Sequence, residues 1–483
     1  MVAKDEEEWS RQMFGECELG DARRTERLVS VAARMSKQMG RSLAKSCEGD
    51  SAALLGGYRL LRNDDVKPEA IRAGGFAAVV QHAQDYALLL AVEYTTCVSY
   101  THAVAAELGV TGYKKAAKRK GFLVHSVLLL DAVSETTVGL IEQDDWRREP
   151  NDYGKKHARK QRAYEDKESH KWEQASQRTA QRLGATMART ISVCDRESDV
   201  YEYLDYKRRN AQRFRCAGRT SVAGAGMRRS DVIRAKVDRR VCASDEHLFE
   251  TLAHDAVELS CYTVNVVQRG GRKARQAQVH LRSLRLELQA PQDSDRRAPL
   301  TVNAILAEEV DAPPNVEALH WVLLTTEPVA SAQEARQVVR YYELRWRIED
   351  YHKAWKSGVG VERQRFQSVE NLQRMLVITS FLAVRLLQLR EILDTPKDDA
   401  QASCETILSE DEWKVLWVST QSSKPPTMAP SIRWACLAVA KLGGFTDTKR
   451  TGRPGWDTIW HGWFRLQKRL EGYQMSKLAR DEL

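Results

Sequence analysis

The sequence predicts an α/β protein, in which helices pack on a mixed β-sheet, a β-rich insertion interrupts the sheet region, and helical regions lie at both ends. Apolar runs near residues 86–94, 122–133 and 137–141 have the character of buried strands. A polar helical stretch near 168–184 follows, and then another apolar run at 190–195 that leads into a helix. Strands and helices in this order are typical of an α/β core, and 483 residues are enough for two to four domains.

The first part of the chain, from residue 9 to about 70, has the pattern of short amphipathic helices. Asp21 is a suitable N-cap for the helix RRTERLVSVAARM. Arg23, Arg24 and Arg27 then share one face of that helix. Arginines at the start of a helix suit the phosphates of a nucleic-acid backbone. A face that is merely solvated accounts for this pattern equally well.

The second half of the chain predicts a change of pattern and then a return to the core. We expect a further strand at 213–219. Residues 220–318 contain polar, β-rich segments and are predicted to form a separate insertion. The core resumes at residue 320, a long helix covers about 332–356, and mostly helical segments follow, with a loop at 421–430.

The charge balance favours a polyanionic partner. Lysine and arginine number 75 against 66 acidic residues, which leaves a formal charge of +9 and a pI of about 9.0. Nucleic acid is the commoner partner of such a chain, and an anionic membrane surface is the less common one. Each basic cluster alone is an ordinary solvated face, but four of them together favour nucleic acid. The clusters lie at residues 114–120, 155–162, 228–240 and 269–275.

Composition and patterning exclude several other classes of protein. With 42% hydrophobic and 29% charged residues, neither wholesale disorder nor a fibrous repeat is expected. The best apolar run, 375–384, contains Thr379 and Ser380 and is shorter than the roughly 20 residues of a membrane span, so we expect no membrane partner. Nine scattered cysteines without a CxxC spacing argue against a zinc site or a disulfide scaffold, and favour a reducing cytoplasm.

Two groups of residues suit metal-dependent phosphoryl transfer. Asp195 ends an apolar strand in the string VCDRESD, where α/β proteins place ligand and metal sites, although a lone aspartate there is as often a helix N-cap. Tyr342, Arg345, Glu349 and Lys356 follow at steps of three, four and seven, which puts them on one helix face. Glu349 suits a hard metal ion, and the cations suit phosphates. A salt-bridge ladder within the helix is the commoner explanation of such spacing.

These strings carry a resemblance to a known family. YELRWRIEDYHKAWKSG together with VCDRESD resembles the bacterial cut-and-paste DDE transposases of the Tn-five type. LGDARRTERLVSVAA, EAIRAGG, FLVHSVLLLDA, FLAVRLLQLRE and KLGGFTDTKRTG extend the resemblance over nearly the whole chain. It implies a helical domain at 1–70 that binds transposon ends, and an RNase H-like catalytic domain at 71–370 with the β-rich insertion at about 220–318. It also implies a helical domain at 371–483 that dimerises.

The resemblance also implies roles for individual residues. Asp195 and Glu349 correspond to the second and third catalytic carboxylates, which hold Mg²⁺ (or Mn²⁺). The phosphates beside the active site are expected to be held by Tyr342, Arg345 and Lys356.

One further residue has an expected role in base recognition. Trp321 matches a tryptophan that stacks on a base flipped out of the DNA, although a tryptophan beside a buried strand is more often part of the core.

The sequence departs from the family pattern at two places. Tyr94 stands where the first catalytic aspartate is expected, and a neutral phenol is a poor ligand for magnesium. Glu93 is its neighbour, but successive strand side chains point to opposite faces, so we expect Glu93 to point away from the site. Ala217 stands where the family carries an arginine, and Arg215 and Arg219 lie two residues to either side of it.

Three functions remain open from the sequence. The first is a DDE transposase that binds transposon ends and target DNA as a homodimer and cuts and joins DNA by metal-dependent phosphoryl transfer. The second is a catalytically silent homologue that occupies transposon ends or dampens transposition. The third is a nonspecific RNase H-like nuclease, which leaves the N-terminal arginine helix and the long helical tail unexplained.

Overall fold

The computed structural model describes residues 5–111, 119–148, 162–217, 230–244, 246–266, 274–292, 294, 298–393, 402–448 and 454–481. Within these ranges ten strands form one mixed sheet with helices around it. The strands are β1 Leu89–Tyr100, β2 Gly109–Val110, β3 Lys120–Asp131, β4 Thr137–Trp146, β5 Thr190–Cys194, β6 Ser230–Arg234, β7 Val257–Val266, β8 Arg275–Leu288, β9 Leu300–Val310 and β10 His320–Thr325. The predicted α/β class is confirmed.

The strand order is β2-β3-β1-β5-β6-β10-β9-β8-β7, and β4 also pairs with β3. β1 is antiparallel to β3 but parallel to β5, and β5 is parallel to β6. The central strand β5 is a short apolar run that is buried completely, as expected where helices cover both faces of a sheet. The antiparallel strands β1, β3 and β4, followed by the parallel strands β5 and β6, are consistent with an RNase H-like core.

The predicted separate insertion is only partly correct. β6 lies inside the range 220–318, yet it pairs in parallel with β5 and belongs to the centre of the sheet. β7, β8 and β9 form an antiparallel meander, and β10 joins them to the core by pairing with β9 on one side and β6 on the other. Because β10 has a partner at each edge, the inserted strands extend the core sheet and do not form a sheet of their own.

Fourteen helices lie within the described ranges. They are α1 Glu6–Phe14, α2 Ala22–Lys37, α3 Leu43–Ser46, α4 Ser51–Leu61, α5 Pro68–Ala83, α6 Lys171–Leu183, α7 Tyr201–Ala217, α8 Leu248–Asp255, α9 Ala332–Leu344, α10 Arg347–Lys353, α11 Val369–Leu393, α12 Glu410–Gln421, α13 Ile432–Leu442 and α14 Trp456–Asp481. The short N-terminal helices, the helix near 168–184 and the helical tail are therefore confirmed. The predicted loop at 421–430 is also present, since α12 ends at Gln421.

The strand predicted at 213–219 is wrong. Residues 213–217 continue helix α7, and residues 218–219 lie outside the described ranges, as do parts of the four basic clusters. Extending a formed helix adds one hydrogen bond per residue without a new nucleation cost, and Ala, Gln and Arg are good helix formers. Local continuity therefore outweighs the weak strand character of this stretch.

Helix α11 forms the centre of the largest apolar core. The ring of Phe381 contacts that of Phe14 at 5.5 Å between centroids, so helix α1 packs against the middle of α11. By length and composition the segment Val369–Glu391 could cross a membrane, but 89% of its most apolar stretch is buried inside the protein. A helix that is apolar on most of its sides is typical of the core of a large protein, and α11 has that place here.

Candidate active site

Two neighbouring strand ends form the base of the candidate site. In the parallel pair of β1 and β5, Leu89 lies opposite Thr190 and Val92 opposite Val193. Continuing this register by two residues places Tyr94 level with Asp195. The Asp195 carboxylate accepts a hydrogen bond of 2.8 Å from the Glu197 backbone N–H, so it does cap the short helix Arg196–Ser198. It therefore lies at the sheet edge, as the sequence predicts, and also has the N-cap role.

The third element is the helical segment that carries Glu349. The single helix predicted at 332–356 is interrupted: α9 ends at Leu344, Arg345 and Trp346 form a turn with hydrogen bonds three residues apart, and α10 begins at Arg347. Such bonds tighten the helix and change the direction of the next turn. A π-helical segment, Ala354–Val359, then continues from α10 and ends at Gly360, whose φ of 73° favours glycine.

The structure brings Tyr94 together with both carboxylates. Burial raises the pKa of Tyr94, and the nearby charges of Asp195 and Glu349 raise it further. The phenol is therefore neutral at pH 7. Its ring centroid lies 6.1 Å from that of His352 on α10. Tyr94 thus lies near β5 and helix α10, at the position where the family pattern predicts the first catalytic carboxylate.

Arg345 is the cation at the centre of the site. Its Nη2 donates to Glu349 Oε1 at 2.9 Å, and its side chain is 7% exposed. The guanidinium carbon lies 5.6–5.7 Å from the ring centroids of Tyr94, Tyr342 and Trp346. Its Nε and Nη1 are buried and have no hydrogen-bond partner within the described chain. A buried donor without a partner costs about 1–3 kcal/mol, so these two atoms favour an incoming acceptor.

Trp321 and Tyr342 extend the site beyond Arg345. Tyr342 is buried, and Trp321 on β10 is half-buried with its ring centroid 5.8 Å from that of Tyr342 in an edge-to-face arrangement. Trp321 therefore lies beside the site and also packs against the core. This position is compatible with both roles that the sequence left open, base stacking and core packing.

Lys356 lies in the π-helical segment that follows α10. Burial lowers its pKa, and the groups that act on it are Glu362, Cys97 and Arg119. Its own charge lowers the pKa of His352, the neighbour of Tyr94. Of the four predicted residues, Arg345 and Glu349 form the contact expected of a salt-bridge ladder.

Glu93 points away from the site, as predicted. Its side chain is buried and lies 3.4 Å from His125 Nε2, while His125 Nδ1 lies 2.9 Å from the Thr95 hydroxyl. Burial lowers the pKa of His125, which is therefore neutral at pH 7 despite its carboxylate neighbour. Glu93 is part of a buried polar cluster on the opposite face of β1 and cannot replace the missing aspartate without a change in the strand.

The structure adds two residues that sequence reasoning missed. Lys171, at the start of α6, lies near Asp195 and Glu197, and its ammonium group is 5.7 Å from the rings of both Trp146 and Trp172. His352 is buried beside Tyr94, and neither of its ring nitrogens has a hydrogen-bond partner among the described residues. Lys171 had no sequence signal, because only tertiary contact relates it to Asp195. His352 lies three residues after Glu349, which was a weak signal.

The N-terminal arginines lie on helix α2, far along the chain from the carboxylates. Asp21 caps this helix, as predicted, and accepts from the Arg23 backbone N–H at 2.8 Å. The Arg23 side chain is 92% exposed, and Arg27 is exposed as well. The Arg23 guanidinium pairs with Asp21 at 2.9 Å, and Arg24 pairs with Asp65 at 2.7 Å. The arginine face is therefore partly solvated and partly engaged in holding α2 to the loop after α4.

Some predicted features cannot be located. Residue 219 and parts of every basic cluster lie outside the described ranges, and the side chains at 211–217 are not described either. Within the part of the chain that is described, no group of three or more histidine, cysteine, aspartate or glutamate side chains is arranged to hold a metal ion.

Comparison with protein families gives two matches. Residues 6–66 match the family described as "Transposase DNA-binding", and residues 137–386 match the "Transposase DDE domain". The second match spans more than half of the chain and includes both Asp195 and Glu349, while Tyr94 lies before it. The mixed sheet, the carboxylates at its edge and these two matches together place the chain in the family of DDE transposases.

Proposed function

We propose that this chain is a Tn-five-type transposase that binds the double-stranded ends of a mobile DNA element. The matched DNA-binding region contains Arg23 and Arg27, both exposed at the start of α2. The formal charge of +9 supports attraction to the DNA backbone. The observation that carries the proposal is the Arg345–Glu349 pair beside Asp195, because it offers donors for a phosphate next to carboxylates at the edge of the sheet.

We further propose that the protein acts as a homodimer through its helical C-terminal region. The last turns of α14 are exposed, and they carry Tyr473, Met475 and Leu478, of which Met475 is 71% and Leu478 64% exposed. Large apolar side chains exposed together on one helix end favour self-association.

DDE transposases use divalent metal ions, and in this family the expected ion is Mg²⁺ (or Mn²⁺). Asp195 and Glu349 are the carboxylates that would hold it. The residues present do not fit a site for two ions. The neutral phenol of Tyr94 stands at the first carboxylate position, and Glu349 is already engaged by Arg345. Two-metal chemistry needs carboxylates on both ions.

This misfit favours a second candidate, the silent homologue. Such a protein binds transposon ends without cutting them, and it dampens transposition by occupying the ends or by pairing with active copies. The specific observation is Tyr94, which lies level with Asp195 on the neighbouring strand, while the adjacent carboxylate of Glu93 faces His125.

Cleavage separates the two candidates. A duplex with the element's own terminal sequence is incubated with Mg²⁺ or Mn²⁺ and either the protein as it stands or Tyr94→Asp, and nicked strands are separated on a denaturing gel. We expect only Tyr94→Asp to cut, at a rate about a hundredfold or more above the background rate. Equal cutting by both proteins contradicts the silent candidate. Equal binding of a scrambled duplex contradicts end recognition and favours a nonspecific nuclease.

A further inference from the structure

The Arg345 guanidinium places a positive charge beside the carboxylates of this site. Its Nη2 contacts Glu349 at 2.9 Å. Its positive charge, like that of Lys171, also acts on Asp195, so the guanidinium acts on both carboxylates. A metal ion that approaches these carboxylates therefore meets a resident cation. It has to displace the guanidinium from Glu349 or bind beside it against electrostatic repulsion.

Tyr94 helps to hold the guanidinium in this position. Its ring is one of three aromatic rings within 5.7 Å of the guanidinium carbon, together with Tyr342 and Trp346. Aromatic faces attract cations, and more strongly where water is excluded. An aspartate at position 94 has no such face and adds a negative charge beside Asp195 and Glu349, a site whose cations are Arg345 and Lys171. The tyrosine at position 94 and the position of Arg345 therefore both disfavour the binding of a metal ion at this site.

The remaining donors of Arg345 define the ligand that the site takes. Nε and Nη1 are buried and without partners within the described chain, while Nη2 is used by Glu349. The N–H donors of a planar guanidinium match the oxygens of a phosphodiester. This ligand needs no metal bridge, because the positive charge is supplied by the protein.

We propose that Arg345 is the resident cation of this site, that it takes the charge role of a divalent ion beside Asp195 and Glu349, and that a DNA phosphate binds its two free donors without metal. The inference rests on the proposed end binding, and it differs from simple loss of a carboxylate. A missing carboxylate alone weakens metal binding whatever stands at position 345. A resident cation weakens metal binding for as long as Tyr94 helps to hold it against Glu349.

Manganese binding tests this difference without any DNA. The full-length protein is titrated with Mn²⁺, and free Mn²⁺ is measured by its electron paramagnetic resonance signal. We expect Arg345→Ala to bind Mn²⁺ about tenfold more tightly than the protein as it stands, even though Tyr94 is unchanged. Arg345→Lys keeps the charge and should resemble the parent. Adding Asp195→Asn to Arg345→Ala should remove the gained affinity, which assigns it to this site.

A second arm uses DNA. Binding of a fluorescent duplex with the element's terminal sequence is measured in EDTA and in Mn²⁺ at one salt concentration. We expect equal affinity in both. A requirement for Mn²⁺, or an Arg345→Ala protein that binds Mn²⁺ no more tightly than the parent while Arg345→Lys remains folded, overturns the proposal. Failure to prefer the terminal duplex over a scrambled one instead contradicts the proposed function, so the two failures are distinguishable.

Discussion

Strands β1 and β5 lie side by side and run parallel, yet they present different chemistry at the same edge of the sheet. β5 ends just before Asp195, whose carboxylate caps a short helix there. β1 presents Tyr94 at the same level, a neutral phenol beside Arg345. The backbone pairing of the two strands does not depend on which residue stands at 94, because the paired residues end at Val92 and Val193. Two paired strands can therefore present a carboxylate and a phenol at the same level of one sheet.

The largest expected effect tests whether the two strands contribute to one site. In the Tyr94→Asp protein, adding Asp195→Asn should reduce metal-dependent strand cleavage by about a hundredfold or more, because several kcal/mol of metal-based stabilisation are lost. Asp311→Asn is the matched control, since Asp311 is exposed and has a φ of 59°, which asparagine adopts readily. Cleavage is measured on a labelled terminal duplex. An equal loss of cleavage with Asp195→Asn and with Asp311→Asn means that the effect does not come from the site.

The next effect concerns the cation between the two strands and helix α10. Arg345→Ala should weaken end binding by about 10- to 100-fold, because hydrogen bonds to a charged group contribute about 1.5–3 kcal/mol. Arg340→Ala is the control: Arg340 lies on α9, just before the turn that carries Arg345, but its ion pairs with Glu135 and Glu343 are at the surface. Fluorescence anisotropy at a stated salt concentration measures both. Unchanged affinity in Arg345→Ala rules out its phosphate contact.

The smallest effect contrasts the two faces of β1 itself. Glu93→Ala should lower the free energy of unfolding by about 1–3 kcal/mol, because it leaves His125 Nε2 buried without its partner. Tyr94→Phe removes only the hydroxyl of a half-buried side chain and should change that free energy by less than about 0.5 kcal/mol. Urea unfolding followed by circular dichroism measures both variants. Similar values for the two contradict the assignment of Glu93 to the core and Tyr94 to the site.

Strand β1 illustrates how far the sequence could predict this fold. Its apolar first half predicted a strand at 86–94, but the strand continues to Tyr100 through a polar half. In that half only alternate residues are buried, Val98 and Tyr100 among them, and the strand pairs with β3, whose register runs unbroken to the pair Tyr100 and Lys120. The end of α7 shows the opposite error, since a helix already formed extends into residues that resemble a strand. Pairing with β3 decided the structure of the second half of β1. The helix that precedes the segment decided the structure of the end of α7.

The sequence by itself determined the α/β class, the carboxylate at the end of β5 and the Arg345–Glu349 pair. The last two depend on the end of an apolar strand and on residues four apart along a helix, which are local relations. That Tyr94 stands where an aspartate is expected is implied only by the resemblance to the family. Only the tertiary structure decided that Tyr94 lies near both carboxylates and Arg345, and that Lys171 joins the site. Those relations depend on strand register, on the turn at 345–346 and on the packing of helices against the sheet. These features are set by contacts between residues that are distant in sequence, and no local pattern encodes them.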